Sequence, residues 1–350
     1  MPVTGSRRAT LLGNLDTNRA IGSLCCKLPR PGVLILSRKW PEQLPAVFSL
    51  VGNTPVLPIE FTTPGGRRAR LHLKLEGANP SGSVKDRAAV AMIRGRIDAG
   101  ELRPGDTLLD ASSGNMACAL AMFGHALGVD VTVVCNDSLT ADKRHFIGHF
   151  GGRLIDNDFG PYTFDGNRKC RAILEEPGGD RYCFLDQLHN WDNPRAHESG
   201  TGPEILRDVP GVRLIVGSLG SGGTMAGVAR AVRSARPDVL LAAVSSAPGS
   251  RFPGVGAFDD GDYVTPFLEE ARKTDAFDFT VRTDAADVMR QLAVLSGHGM
   301  FCGPQTGAVT LAALSLADEA GLDDGIVVIS GDAGWKNWNY LDQLATPEMR

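Results

Sequence analysis

The stretch VGSLGSGGTMAGVAR, which runs from Val216 to Arg230, decides the fold prediction. It begins at the end of the apolar run LIV, passes through a turn with three glycines, and continues into a segment rich in alanine and valine that is typical of a helix. Short apolar runs of this kind indicate parallel strands that are buried on both faces. A strand that leads through a tight turn into a helix is the repeating unit of α/β proteins.

The same pattern repeats along the chain. Apolar runs predict strands at RLHLKL, TLLDA, DVTVVC, GRLID, RYCFLD, VRLIVGS, LLAAVSS and IVVISG. The segments between them predict helices at about 85–99, 115–127, 139–150, 164–176, 195–207, 223–235, 284–298 and 306–321. This alternation predicts an α/β fold with two doubly wound domains, each with a central, mostly parallel sheet. Residues 249–282 are rich in Gly, Pro and Asp, lack a clear period, and predict a long excursion.

Composition and charge limit the class of protein. The 350 residues are 43% hydrophobic and 22% charged, as in soluble globular proteins. The net charge of -4 is too small to indicate a nucleic-acid partner. No apolar run is long enough for a membrane span. The seven cysteines include no CxxC pair, which argues against a disulfide framework or a metal cluster and favours a reducing, cytoplasmic location.

Residues 1–41 differ in charge from the rest of the chain. They hold seven Lys and Arg against one Asp, a balance of +6 that leaves -10 for the remainder. We expect a mobile tail or a partner-binding arm, with a transit peptide as the alternative. An export signal is not predicted, because Asp16, Asn18 and Arg19 interrupt the apolar run that it needs.

A second turn leads into a lysine. NPSGSVKDRAA, from Asn79 to Ala89, is turn-rich and ends where Lys85 opens a predicted helix. The positive end of a helix dipole is an unusual place for an ammonium group. Lys85 is therefore either an incidental surface residue or a nucleophile whose surroundings favour the neutral amine.

Two junctions have the composition of anion sites. LLDASSGNMACALAM, from Leu108 to Met122, turns into a helix at SSGN, where free N–H groups bind an anion or Ser113 simply caps the helix. The glycines of Val216–Arg230 fit a single phosphate better than a dinucleotide, because GxGxxG spacing is absent. The alternative for these glycines is tight packing of helix against strand.

A third junction, VVISGDAGWKN from Val327 to Asn337, places Ser330 and Asp332 after an apolar strand, although such residues often only form a turn. Ligands of parallel sheets bind beyond the carboxyl ends of the strands, so the three junctions belong to one site. A lysine, a phosphate cradle, a carboxylate cradle and a late polar residue predict a site for pyridoxal 5′-phosphate, an aldehyde that condenses with lysine.

These motifs resemble the cysteine synthase family, which belongs to the tryptophan synthase β-like, fold-type II pyridoxal-phosphate enzymes. The resemblance runs from about Leu50 to the last strand and leaves residues 1–45 uncovered. Its landmarks come in the family's order: GNTP, NPSGSVKDR, SSGN, TGPEI, GSGGT, PGVGA and CGPQTGA. Each motif alone is common, but the ordered set is specific.

The resemblance implies a role for each matching residue, with Lys85 holding the cofactor as an internal aldimine. The implied cofactor-binding residues are Lys85, Asn115, Gly220, Ser221, Gly222, Gly223, Thr224, and Ser330 or Asp332 at the pyridine nitrogen. The implied substrate-binding residues are Ser112, Ser113, Gly114, Asn115, Met116, Gln187 and Arg251, with Gly254, Val255 and Gly256 at the substrate entrance.

Some positions depart from the family pattern, and one departure is WKN, from Trp335 to Asn337, in place of the usual ERY after the last strand. Met116 replaces a hydroxyl donor, so either the acceptor site is less polar or the carboxylate loses a hydrogen bond. Asp332 stands where many members have serine; an ionised Asp favours a protonated pyridine, whereas a serine such as Ser330 does not.

The resemblance also implies a domain division and a homodimer. Residues 1–45 form an arm outside the family core. Residues 46–87 and 196–345 form the large cofactor domain, and residues 88–195 form a smaller, mobile domain that carries the substrate loop.

The implied activity is that of a transferase. It replaces the β substituent of O-acetylserine or O-phosphoserine through an α-aminoacrylate, giving cysteine or a related β-substituted alanine. Alternatives are 2,3-diaminopropionate or S-sulfocysteine synthesis, then a serine/threonine dehydratase or a non-catalytic regulatory relative. A phosphoserine donor needs a cation, for which Arg251 is preferred over Lys336, while Arg87 is expected to pair with an acid.

Overall fold

Two sheets organise the described part of the chain. The computed structural model describes Trp40, residues 43–112, 114–338 and Leu341, within which ten strands form a six-stranded and a four-stranded sheet. The strands are β1 (Val56–Thr62), β2 (Arg68–Leu75), β3 (Thr107–Ala111), β4 (Asp130–Cys135), β5 (Arg153–Asp156), β6 (Tyr182–Phe184), β7 (Leu214–Ser218), β8 (Leu240–Ser246), β9 (Phe279–Thr283) and β10 (Ile326–Ser330).

The larger sheet has the strand order β1-β2-β10-β7-β8-β9. The β1–β2 pair is antiparallel and the other pairs are parallel. The last strand lies inside the sheet, where Ile326 is in register with Leu71 on one side and Leu214 on the other. The smaller sheet, β5-β4-β3-β6, is parallel throughout.

Helices cover both faces of each sheet. They are α1 (Lys85–Asp98), α2 (Asn115–Leu127), α3 (Ala141–His149), α4 (Thr163–Glu175), α5 (Asp192–Ala196), α6 (Gly202–Asp208), α7 (Gly223–Ala235), α8 (Pro266–Lys273), α9 (Ala285–Gly297) and α10 (Pro304–Ala320). None of the described helices is long and apolar enough to cross a membrane.

Alternating residues of β7 explain the continuous apolar run at this strand. Val216 packs in the cluster that holds α9 and α10, whereas Ile215 packs in the cluster that holds α7 and α8. Each fully buried side chain of this size contributes about 1.5–3 kcal/mol. The predicted α/β fold with mostly parallel sheets is confirmed, while the domain boundaries stay a prediction.

The segment 249–282 is more regular than the composition suggests. It contains α8 and β9, where an irregular excursion was expected. Thr265 caps α8 by accepting a hydrogen bond from Leu268 N, and Phe267 and Leu268 are buried. The helix has only eight residues, which is too short for a clear period in the sequence.

The helix predicted at 195–207 is interrupted. A π-helical turn, His197–Thr201, separates α5 from α6. Pro203 lies at the start of α6 and has no N–H to donate, so a regular α-helix cannot continue through this point without losing a hydrogen bond. The predicted arm lies almost wholly outside the described residues.

Candidate active site

A cavity of about 580 Å³ opens at the carboxyl ends of parallel strands. Its lining includes Ser112 just after β3, Gln187 after β6 and Gly220 after β7. The cavity brings together these predicted residues: Lys85, Ser112, Gly114, Asn115, Met116, Gln187, Gly220, Ser221, Arg251, Gly254, Val255 and Gly256. Ser113 lies outside the described residues.

The turn before Lys85 is built from local hydrogen bonds. The carboxylate of Asp86 accepts hydrogen bonds from Ser81 N, at 2.6 Å, and from the Ser81 hydroxyl. Gly82 has a φ of +85°, and a Cβ there would collide with the ring of Trp335. These contacts place Lys85 at the first position of α1.

The Lys85 amine has few partners. Its Nζ donates to Ser221 Oγ over 3.3 Å. Burial lowers the pKa of Lys85 to about 8, and the nearby Asp110 carboxylate opposes this effect only in part. A lysine with a lowered pKa supplies a neutral amine near neutral pH, which favours the nucleophile interpretation over an incidental surface lysine.

Asp110 is a site residue that the sequence analysis did not select. It is fully buried at the end of β3, where Oδ1 accepts hydrogen bonds from Ala111 N at 2.9 Å and from Gln187 N at 3.4 Å. Its Oδ2 has no hydrogen-bond partner among the described residues. Burial raises the pKa of Asp110 to about 8. The available signal was an acidic residue at the end of an otherwise apolar strand.

In the loop after β3, Ser112 caps part of the start of α2, while other backbone N–H groups there have no acceptor within the helix. Ser112 Oγ accepts hydrogen bonds from Gly114 N at 3.1 Å and from Ala117 N at 3.2 Å. The first amides of α2, at Asn115 and Met116, have no acceptor within the helix. Ser112 therefore supplies a cap, and the helix start still suits an anion.

Gln187 is held beside this loop. Its Nε2 donates to Ala111 O at 2.7 Å, and the side chain is buried. Asn193 Nδ2 in turn donates to Gln187 O at 2.8 Å and to Ser221 Oγ at 3.3 Å. The side-chain amides of Gln187 and Asn193 thereby link the loop after β3 to the glycine loop before α7.

The glycine loop encloses a narrow hollow next to Lys85. Gly222 is left-handed, with a φ of +84°, and α7 begins at Gly223. The hollow is lined by Gly220, Ser221, Gly222 and Thr224, together with Lys85 and Gly331. The hydroxyl of Thr265 donates to Ser221 O at 2.8 Å and anchors the loop.

The donor chemistry of this hollow fits pyridoxal phosphate. The N–H groups at the start of α7 lack acceptors within the helix and complement a phosphate. Lys85 lines both the hollow and the larger cavity, so its amine lies between a phosphate position and the space for a substrate. Asn115 Oδ1 is buried without a hydrogen-bond partner among the described residues, as expected for a group that faces a missing polar ligand.

Ser330 and Asp332 lie beside the cavity, outside its lining. Ser330 Oγ is 3.0 Å from Thr306 Oγ1. Asp332 Oδ2 accepts from Asn337 Nδ2 at 3.0 Å, and its Oδ1 has no hydrogen-bond partner among the described residues. Burial raises the pKa of Asp332 to about 6, with Lys143 opposing the rise.

The three candidate cations differ in position. Arg251 lines the cavity, with Nη1 at 2.9 Å from Asp262 Oδ1. Lys336 is buried beside Ser83 and is absent from the cavity lining, so the structure does not bring it to the described site. Arg87 is buried between two glutamates, which confirms that it pairs with acids.

The cavity also contains residues that the sequence analysis missed. They include Lys143, Tyr162, Phe164, Tyr263 and Gln305. Lys143 is buried and donates to Asn337 Oδ1 at 2.9 Å. Gln305 lies within the landmark CGPQTGA but was not selected, whereas the other four lie outside the landmark motifs, so only the folded chain brings them to the site.

Comparisons with known proteins agree on one family. The family model described as "Pyridoxal-phosphate dependent enzyme" matches residues 47–332. Cysteine synthase B of Pseudomonas aeruginosa is 35% identical over 82% of this chain and 93% of its own. O-ureido-L-serine synthase of Streptomyces lavendulae is 31% identical over 79% of this chain and 85% of its own.

Solved structures show the same fold. A lysine-to-alanine mutant of O-ureido-L-serine synthase, crystallised with O-ureido-L-serine, superposes with a TM-score of 0.78. The match is 26% identical and covers 86% of this chain and 94% of that one. The cysteine synthase resemblance predicted from the motifs is thus confirmed.

Proposed function

Because the chain belongs to the pyridoxal-phosphate dependent enzyme family, and within it to the cysteine synthase-like group, we propose a role for each side of its cavity. The activity is that of a transferase, which replaces the β substituent of an O-activated L-serine. The observation that carries the assignment is Lys85, whose poorly solvated amine lies between the glycine-loop hollow and the cavity.

We propose that Lys85 holds the cofactor and later moves the substrate's Cα proton. Bound pyridoxal phosphate supplies an electron sink that weakens the Cα–H bond. A lysine pKa of about 8 allows Nζ to accept that proton near neutral pH and to return it after the nucleophile has added. Ser221 Oγ, 3.3 Å from Nζ, orients the amine.

Two helix starts would bind the two anionic groups. The residues from Gly220 to Thr224 would hold the cofactor phosphate at the start of α7. The amides of Asn115 and Met116, with Gln187 beside them, would hold the substrate carboxylate at the start of α2. Ser330 and Asp332 remain the two candidates for the pyridine nitrogen.

The surroundings of Arg251 support O-acetylserine as the donor. Its guanidinium donates to Asp262 at 2.9 Å and to Asp260 O at 3.1 Å, so its charge is already matched. A phosphate leaving group, with about two negative charges, would have to displace this pair. An acetate leaving group needs no such rearrangement.

The proposed function is tested by measuring the release of the leaving group. Purified, cofactor-loaded protein is incubated with O-acetylserine or O-phosphoserine, and acetate or phosphate is quantified before and after a nucleophile is added. We expect acetate release from O-acetylserine and a β-substituted alanine by mass spectrometry. Release of ammonia and pyruvate alone would instead identify a dehydratase.

We also propose a homodimer in a reducing, cytoplasmic environment. Phe301 and Trp338 are 47% and 55% exposed and pack edge to face, which supports a contact between copies. The five described cysteines are buried free thiols, which supports a reducing environment. Sedimentation equilibrium would test the dimer.

A further inference from the structure

A chain of hydrogen bonds ends at a cavity residue that the proposed reaction does not yet use. Tyr263 lines the cavity, and its hydroxyl lies 3.0 Å from His189 Nε2. His189 Nδ1 lies 2.8 Å from Asp186 Oδ1. The three side chains form a polar chain from a buried carboxylate to the cavity.

The carboxylate end of this chain is fixed. Asp186 Oδ1 also accepts from Asn167 Nδ2 at 2.5 Å, and Oδ2 accepts from Arg171 Nη2 at 2.7 Å. Asp186 has a φ of +55°, and its carbonyl oxygen accepts hydrogen bonds from the amides of His189 and Asn190. Both side-chain oxygens of Asp186 therefore have hydrogen-bond partners.

These contacts determine the direction of the hydrogen bonds. A carboxylate only accepts, so Nδ1 of His189 carries the proton toward Asp186. When the ring carries only that proton, Nε2 accepts from the Tyr263 hydroxyl, which leaves the phenol oxygen free to accept from a molecule in the cavity. The Tyr263 ring stacks on Phe164, with centroids 4.2 Å apart, and this contact restrains it.

The environment of Tyr263 keeps its hydroxyl protonated. Burial, with the charges of Glu269 and Asp186, raises the pKa of Tyr263, while Arg171 acts in the opposite direction. The phenol therefore stays protonated near neutral pH. It accepts a proton only if it passes its own proton to His189, whose imidazolium Asp186 would stabilise.

The wall around Tyr263 carries little net charge. Arg251 and Asp262 form an ion pair, and Tyr162 and Phe164 line the adjoining surface. Such a wall suits a neutral molecule better than an anion. A neutral nucleophile must lose a proton as it reacts, which is the step that the hydrogen-bond chain can serve.

We propose that Tyr263 accepts the proton of the incoming nucleophile while His189 takes the phenol proton, and that the nucleophile carries a neutral N–H or O–H group. This rests on the proposed β-replacement. The nucleophile's lone pair forms the bond to the β carbon, its N–H or O–H bond breaks, and Cα takes back a proton from Lys85. The imidazolium of His189 then releases its proton to solvent, so atoms and charge balance.

The test compares two kinds of nucleophile with O-acetylserine as donor. Hydroxyurea carries an O–H group that must lose its proton, whereas thiosulfate has no proton to lose at neutral pH. Tyr263→Phe should lower kcat with hydroxyurea by about 10²-fold or more, because a general base is removed. With thiosulfate the loss should be at most about threefold, and the KM for O-acetylserine should change little in both assays.

His189→Gln should show the same selective loss, and Tyr182→Phe serves as the control. Tyr182 is on β6, and its hydroxyl contacts Arg181 away from the cavity. Equal losses with both nucleophiles would show a structural role and overturn the proposal. Wild-type protein that accepts thiosulfate and refuses hydroxyurea and N–H azoles would overturn it as well. If no nucleophile led to acetate release from O-acetylserine, both the proposed function and this inference would be wrong.

A second measurement does not depend on turnover. Nitrogen-15 NMR of the wild-type holoenzyme should find the neutral ring of His189 protonated at Nδ1, with Nε2 as acceptor. Tyr263→Phe should move the Nε2 resonance as that hydrogen bond is lost, while Tyr182→Phe leaves it in place. A ring protonated at Nε2 in the wild type would overturn the proposed direction of transfer.

Discussion

Lys85 and Arg87 are two residues apart on α1 and have opposite environments. Arg87 makes hydrogen bonds of 2.7–2.8 Å to Glu76 and Glu204, and a longer one to Thr54. Burial alone would lower the pKa of Arg87, but the hydrogen bonds to Glu204 and Glu76 raise it. Among the residues that the structure describes, Lys85 Nζ has one hydrogen-bond partner, Ser221 Oγ at 3.3 Å, and the pKa of Lys85 falls to about 8. A buried cation whose nitrogens are all hydrogen-bonded to partners stabilises the fold, whereas one with few partners becomes reactive.

The largest effect is expected from the reactive side of this comparison. Lys85→Ala should lower activity by about 10⁴-fold or more, equivalent to about 5.5 kcal/mol, because it removes the group that holds the cofactor and moves the proton. Borohydride should no longer trap cofactor on the protein. Lys273→Ala, on an exposed position of α8, should leave both measurements unchanged. Continued trapping at another lysine would contradict the assignment.

Arg87→Met should lower the stability of the fold, because Arg87 belongs to a buried ion-pair network. The substitution leaves buried Glu76 without its cation, while Glu204 keeps Lys74 at 2.8 Å, and breaking a buried pair in this way costs about 3–5 kcal/mol. Urea unfolding of the holoenzyme measures the loss. The surface variant Arg282→Met, which breaks an exposed pair with Asp259, should cost at most about 1 kcal/mol. Similar losses of unfolding free energy in both variants would show that the buried network stabilises the fold no more than an exposed ion pair does.

The pKa of Glu204 predicts how the stability of this network changes at acidic pH. Burial raises its pKa, but hydrogen bonds from Arg87 and Lys74 outweigh this and lower the pKa from 4.5 to about 2. A lowered folded-state pKa stabilises the protein fully above pH 4.5, and this contribution is lost as the pH falls toward 2. The stability advantage of the wild type over Glu204→Gln, about 1.5–3 kcal/mol for charged hydrogen bonds, should therefore shrink over this interval. An advantage that does not change with pH would contradict the prediction.

A further substitution tests whether the glycine loop next to Lys85 binds the cofactor phosphate. Gly222→Asp would add a negative charge to the glycine loop and bring its Cβ to 3.0 Å from Leu268 Cβ, so cofactor affinity should fall more than about tenfold, or 1.4 kcal/mol. Gly128→Asp is the matched control, since Gly128 has a similar φ of +79° but open space around it. Cofactor titration by absorbance gives both constants. Equal affinities in the two folded variants would remove the phosphate assignment.

Motifs with local causes could be predicted from the sequence. The glycines around Gly222 and the turn before Lys85 require particular backbone conformations, so their spacing indicates their structure. The strands buried on both faces could likewise be predicted from continuous apolar runs. The chain from Asp186 to Tyr263 could not, because it joins residues 77 positions apart whose types are common at surfaces. Asp110 was missed for a related reason: its burial depends on neighbouring strands that the local sequence does not specify.

The position of β10 has a consequence for how the protein is made. This strand, Ile326–Ser330, lies between β2 and β7, which are synthesised long before it. While the ribosome is still translating, the larger sheet has a gap at its centre, and the edges of β2 and β7 are unpaired. The smaller sheet uses only strands between Thr107 and Phe184, so a nascent chain can complete it first. Cofactor loading must then wait until β10 has been translated, and chains released before that point would expose aggregation-prone strand edges to the cell's quality-control machinery.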